Sequence, residues 1–154
     1  MIAVVQRVRR AWVEVSGDRV GEIGVGLLVF VGVLAGDDEE DASWLARKLL
    51  GLRIFPDAEG KMNLDTAAVG GGFLLIPNFT LGADLRKGNR PSFNLAAPPE
   101  QAEALFDRLA DLMKEAGARV ETGRFGAMME IGAEMFGPVT LVVDTAVRHR
   151  PRRA

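Results

Sequence analysis

At 154 residues, nearly half of them apolar, the chain is long enough for one domain with its own core and too apolar to remain disordered. It has no cysteine and a single histidine, His149. That excludes a disulfide scaffold and a thiol nucleophile, and it argues against a zinc site or a Ser-His-Asp triad, so neither metal nor cofactor is expected. The net charge of −2 is uneven, because the last seven residues, RHRPRRA, hold four arginines and leave an acidic body behind them.

Residues 2–8 and 11–15 read as strands, with the second alternating in and out. Gly17-Asp18 marks a turn, so a hairpin is expected. The near-continuous apolar run Val25–Val33 suits a strand covered on both faces. It is too short to span a bilayer. The N-terminus carries its charges after its apolar residues, the reverse of a signal peptide, so a cytoplasmic protein without a membrane partner is expected.

Asp37 or Asp38 can cap a helix whose first turn holds Glu39, Glu40 and Asp41. Ala42, Leu45, Ala46, Leu49 and Leu52 recur at helical spacing. A short strand closed by Pro56 follows, then a turn, then a strand led by "VGGGFLLI". That glycine run lacks the helix start that a phosphate-cradling loop needs after it, and reads as a turn or bulge. Pro98-Pro99 opens a second helix with Ala102, Leu105, Phe106, Leu109, Leu112 and Met113 on one face. Residues 118–124, 127–133 and 138–145 read as three further strands, the last introduced by Gly137-Pro138. The order is two strands, strand–helix twice, then three strands: one mixed α/β domain with two helices packed on a sheet or barrel-like core.

Two places stand out. The apolar strand Phe73–Ile76 stops at Pro77-Asn78-Phe79-Thr80. Either this is a plain turn, or the unpaired N–H groups of an irregular strand end form a site able to hold an oxyanion. Met128 and Met129 could line an adaptable pocket or fill core.

Several separated segments, "MIAVVQRVRRAWVEV", "GEIGVGLLVFVGV", "RIFPDAEGKMN", "FTLGAD", "RPSF", "ETGRF" and "GPVT", occur in an order and spacing that resembles the D-aminoacyl-tRNA deacylases. The resemblance covers residues 1–145. Residues 146–154 remain as a basic tail, expected to be disordered and able to meet RNA phosphates. The resemblance implies a homodimer that hydrolyses the ester of D-aminoacyl- or glycyl-tRNA as translation quality control. It implies that Gly137-Pro138 of one subunit enters the other's pocket, where backbone carbonyls hold the substrate's amino group. Met135 and Phe136 precede that pair, and with Pro77 and Met129 these four are expected to bind substrate. The family's Ser-Gln-Phe-Thr motif corresponds to Pro77, Asn78, Phe79 and Thr80, of which Asn78, Phe79 and Thr80 are the expected catalytic residues.

In the implied chemistry the tRNA 2′-hydroxyl helps to activate water and backbone N–H groups steady the oxyanion. Thr80 is expected to position rather than attack, for want of a base. The chain departs from the family pattern at Pro77, Asn78, Met135 and Phe136. The alternatives are therefore an altered acyl or chiral specificity, or a non-catalytic tRNA-binding homologue.

Overall fold

The computed structural model describes residues 1–149. A long strand β1 (Ile2–Val15) turns back through Ser16-Gly17 into β2 (Asp18–Ile23), followed by β3 (Gly26–Gly32), α1 (Glu39–Leu50), β4 (Phe55–Pro56) and β5 (Met62–Leu64). Then come β6 (Gly72–Pro77), a 3-10 helix (Phe79–Gly82), α2 (Pro99–Glu115), β7 (Val120–Thr122), β8 (Glu130–Asp144) and a last 3-10 helix (Thr145–His149). The main sheet runs β2-β1-β3-β6-β7, and β8 pairs along β1. The two strands expected at 2–8 and 11–15 are one, because β1 switches partner from β3 to β2 without leaving the sheet. Those expected at 127–133 and 138–145 are likewise one long strand, so Gly137-Pro138 lies inside β8 and does not introduce it.

Alternation decides what each face packs against. Leu27, Val29 and Val31 of β3 and Phe73 and Leu75 of β6 meet the apolar stripes of α1 and α2 in one core. Leu28, Leu74 and Ile76 point the other way, toward Val8, Ala11, Val13 and Ile23. Both strands are therefore buried on both faces, which is why they read as apolar runs. The sheet curls until Gly21 of β2 approaches Leu74 and Thr122, giving a nearly closed, barrel-like shape.

Asp38 and Asp41 form a reciprocal cap on α1. Arg148 seats on the same acidic end, with Nη1 3.2 Å from Glu40 Oε2 and Nε 3.2 Å from Asp41 Oδ1. The first residues of the expected tail are thus in the Thr145–His149 helix, while 150–154 lie outside the described residues. No helix among the described residues is long and apolar enough to cross a membrane.

Candidate active site

β6 ends where its neighbours run out. It pairs in parallel with β3 as far as Val31 opposite Pro77, and the Asn78 N–H still donates to Val31 O at 2.8 Å. On its other side β7 pairs only to Leu75 opposite Thr122. Odd-numbered residues of β6 direct their backbone groups to that side, so the N–H that Pro77 lacks would have faced no strand. A proline is tolerated there for that reason.

Asn78 then starts the 3-10 helix. Its side-chain Oδ1 accepts from the Thr80 N–H at 3.2 Å and from the Thr80 hydroxyl at 2.5 Å. The helix lies tight against β3: a Cβ on Gly32 would come within 2.9 Å of Leu81 Cβ and 3.0 Å of Asn78 O, so only glycine admits it. Of the backbone N–H groups expected for an oxyanion, that of Thr80 is therefore occupied by Asn78. The Phe79 N–H has no hydrogen-bond partner among the described residues. Its side chain is exposed and meets Phe93 edge to face at 5.0 Å.

These residues border two cavities. One, of about 440 Å³, is lined by Phe30, Pro77, Asn78, Phe79, Thr80 and Met129, among others. The second, of about 520 Å³, lies beyond Phe79 and is walled by Phe93, Phe125, Pro98, Pro99 and Ala102. Four residues singled out in the sequence thus meet Met129 in one pocket. Met128 stands at its rim, almost wholly exposed.

Met135, Phe136, Gly137 and Pro138 line neither cavity. They sit on β8, the outer strand, where Met135, Gly137 and Pro138 are exposed. The β1–β8 ladder opens there. Gln6 faces Thr140 and Val8 faces Met135, so Arg7 alone stands opposite Phe136–Val139. The Gly137-Pro138 bond is cis. A Cβ on Gly137 would fall 2.1 Å from the Val139 N, so no other residue fits that backbone.

Arg7 holds this bulge, and the sequence reading missed it. Its Nε donates to Phe136 O at 2.7 Å and its Nη1 to Ile54 O at 2.5 Å. Its guanidinium lies 4.3 Å from the centre of the Phe136 ring, whose environment Arg9 shares at 4.2 Å. The side chain is buried, and among the described residues it has no carboxylate partner; burial, then the nearby Arg9, hold its pKa below the usual arginine value. A signal was present: Arg7 follows Ala3 and Val5 at strand spacing, on a parity that faces the core.

Beyond the 3-10 helix, Asp84 accepts from the backbone N–H and the guanidinium of Arg86, which hold its carboxyl at about 2. Among the described residues no group of three or more His, Asp or Glu side chains is placed to hold a metal ion.

A family model described as D-Tyr-tRNA(Tyr) deacylase matches residues 4–144. The chain is 53% identical over 152 residues to a D-aminoacyl-tRNA deacylase of Dehalococcoides mccartyi, covering 99% of each. It is 51% identical over 148 residues to one of Geobacter sulfurreducens, covering 96% of this chain and 97% of that one. Among solved structures, one titled c-Myc DNA Unwinding Element Binding Protein superposes with TM-score 0.88 at 36% identity, over 94% of this chain and 98% of that one. A probable eukaryotic D-amino acid tRNA deacylase shares the fold, at TM-score 0.80 and 19% identity, over 92% and 97% of the two chains.

Proposed function

We propose that this chain, which belongs to the D-Tyr-tRNA(Tyr) deacylase family, hydrolyses the ester that joins a D-amino acid to the 3′-terminal adenosine of tRNA. It is a hydrolase of aminoacyl-tRNA. The observation that carries the site assignment is the strand-end pocket, where Pro77-Asn78-Phe79-Thr80 and Met129 surround one cavity. The aminoacyl ester sits in that cavity. The neighbouring apolar cavity, walled by Phe79, Phe93 and Phe125, takes the flat adenine ring.

The chemistry asks little of the side chains. The Thr80 hydroxyl donates a hydrogen bond to the Asn78 amide oxygen, which is no base and cannot take up its proton, so Thr80 is a positioning group and not a nucleophile. The free Phe79 N–H is the donor left to steady the charge that grows on the ester carbonyl oxygen. Attack by water is assisted by the substrate's own 2′-hydroxyl.

Selectivity requires a second copy of the chain. One chain leaves Gly137-Pro138 exposed on an outer strand, outside its own pocket, beside the exposed Met135 and Val142. In a homodimer paired through β8, each copy inserts this pair into the other's pocket. Its carbonyls take the substrate's amino group, and its backbone wall rejects L-residues sterically. Glycyl-tRNA, with no side chain to clash, is a second substrate. Such a protein works in translation quality control, in the cytoplasm.

The test is deacylation of matched D- and L-aminoacyl-tRNA and of glycyl-tRNA by the purified protein. Loss of the D and glycyl esters alone is expected. Equal loss of both enantiomers would overturn the stereochemical assignment, and no loss of any ester would overturn the deacylase reading.

A further inference from the structure

The loop Asp84–Ser92 is built like a contact surface. It leaves the 3-10 helix of the pocket and returns at Phe93, whose ring packs on Phe79. Its two ends are tied by a backbone pair, Asp84 N to Ser92 O at 2.7 Å and Ser92 N to Asp84 O at 3.1 Å. Seven consecutive residues, Leu85–Pro91, are exposed, and Arg86, Lys87 and Arg90 lie among them. The chain without its arginine-rich end is acidic, so three cations on one loop run against the bulk composition. Asp84 compensates Arg86 alone, at 2.6 Å. Among the described residues Lys87 and Arg90 have no ion-pair partner.

We propose that Lys87 and Arg90 on this loop bind phosphates at the acceptor end of the tRNA, a partner that rests on the deacylase reading above. Charge and position together favour a nucleic acid. The loop is anchored at its base yet buries nothing at its tip, so folding does not account for these side chains. Four extended residues from Asp84 reach at most about 15 Å, which limits the contact to the last few nucleotides and the first base pairs. Asp84 and Arg86 brace the loop, and the two uncompensated cations make the contact. A phosphate contact of this kind strengthens binding without reading sequence.

The double variant K87A/R90A separates this contact from the catalytic pocket when it is assayed on two substrates: a D-aminoacyl-tRNA, and the same D-amino acid esterified to adenosine, which carries no phosphate. With tRNA, kcat/KM is expected to fall about ten-fold at low salt. Its logarithmic salt slope is expected to flatten by about 1.5, as two lost phosphate contacts require. With the adenosine ester no change is expected, and K87R/R90K should keep wild-type values on both. An equal loss on both substrates, or no loss on tRNA, overturns the proposal. Binding of uncharged tRNA provides a readout without turnover. Weaker binding by the variant, together with no hydrolysis of any ester by the wild type, would uphold the loop contact and sink the deacylase reading.

Discussion

Replacing Arg7 by lysine tests whether the Gly137-Pro138 bulge is held from within its own chain. The guanidinium reaches two carbonyls that lie in different directions, Phe136 O through Nε and Ile54 O through Nη1. Lysine keeps the charge but offers a point donor on a flexible stem, not a rigid fork. It can satisfy one carbonyl and leaves the other buried and unpaired, at a cost of about 1–3 kcal/mol. The flat stacking on Phe136 is lost as well. A total of about 2–3 kcal/mol is a sizeable part of the stability of a domain this size. In thermal unfolding, compared at matched protein concentration, this corresponds to a fall in Tm of about 5–10 °C. At assay temperature the fold survives, so activity reports the local effect. The carbonyl of Phe136 adjoins Gly137, and its displacement moves the bulge that the proposed partner pocket receives. We expect kcat/KM on D-aminoacyl-tRNA to fall at least about ten-fold, because a displacement of about 1 Å costs that much or more. Discrimination between D and L esters should narrow at the same time. If R7K matched the wild type in Tm and in enantiomer ratio, Arg7 would not be what orients this bulge.

Other perturbations probe the pocket itself. Asn78→Ala removes the acceptor for both Thr80 donors, and loss of this half-buried cap should cost about 1 kcal/mol of stability. Because the Thr80 N–H becomes a second free donor, kcat should change more than KM; a KM effect alone would show that Asn78 touches substrate. Gly137→Ala places a methyl where the Val139 N already sits, and should abolish activity while thermal unfolding stays cooperative. Activity within two-fold of wild type would show that the bulge relaxes freely. Asp84, held at about 2 by Arg86, should titrate well below an ordinary aspartate in carbon-detected NMR, and R86A should raise it toward 3.8. Since the folded value is the lower one, whatever order this pair lends the loop is present above pH 4 and is lost as pH falls toward 2.

Much of the fold could be read from local pattern, for reasons visible in particular residues. Val25–Val33 reads as an apolar run because β3 has helices on one face and the curled sheet on the other. Pro98-Pro99 marked the start of α2, where Pro99 stands in the first turn. Pro77-Asn78 marked the end of β6, but the residues alone left a turn and a pocket both open. What escaped the sequence was long-range. Whether 127–133 and 138–145 are two strands or one depends on β1 running beside both, and nothing local announces that. Arg7 escaped for a similar reason: the carbonyls that receive it are 47 and 129 residues away in the chain. Asn78 was visible in the sequence, but not that its amide oxygen would accept from both the N–H and the hydroxyl of Thr80.

β8 carries a consequence for solubility. A fifteen-residue outer strand is a template on which further strands can stack without end. Its middle forbids that. Pro138 has no N–H to offer, and the ladder is already broken across Phe136–Val139. An incoming strand meets two short rungs, Glu130–Met135 and Thr140–Asp144, with an obstacle between them. A fibril needs the whole edge in register, whereas a single neighbour can accommodate the protrusion by receiving it. The break in the ladder that sets Gly137-Pro138 apart also stops this edge from propagating.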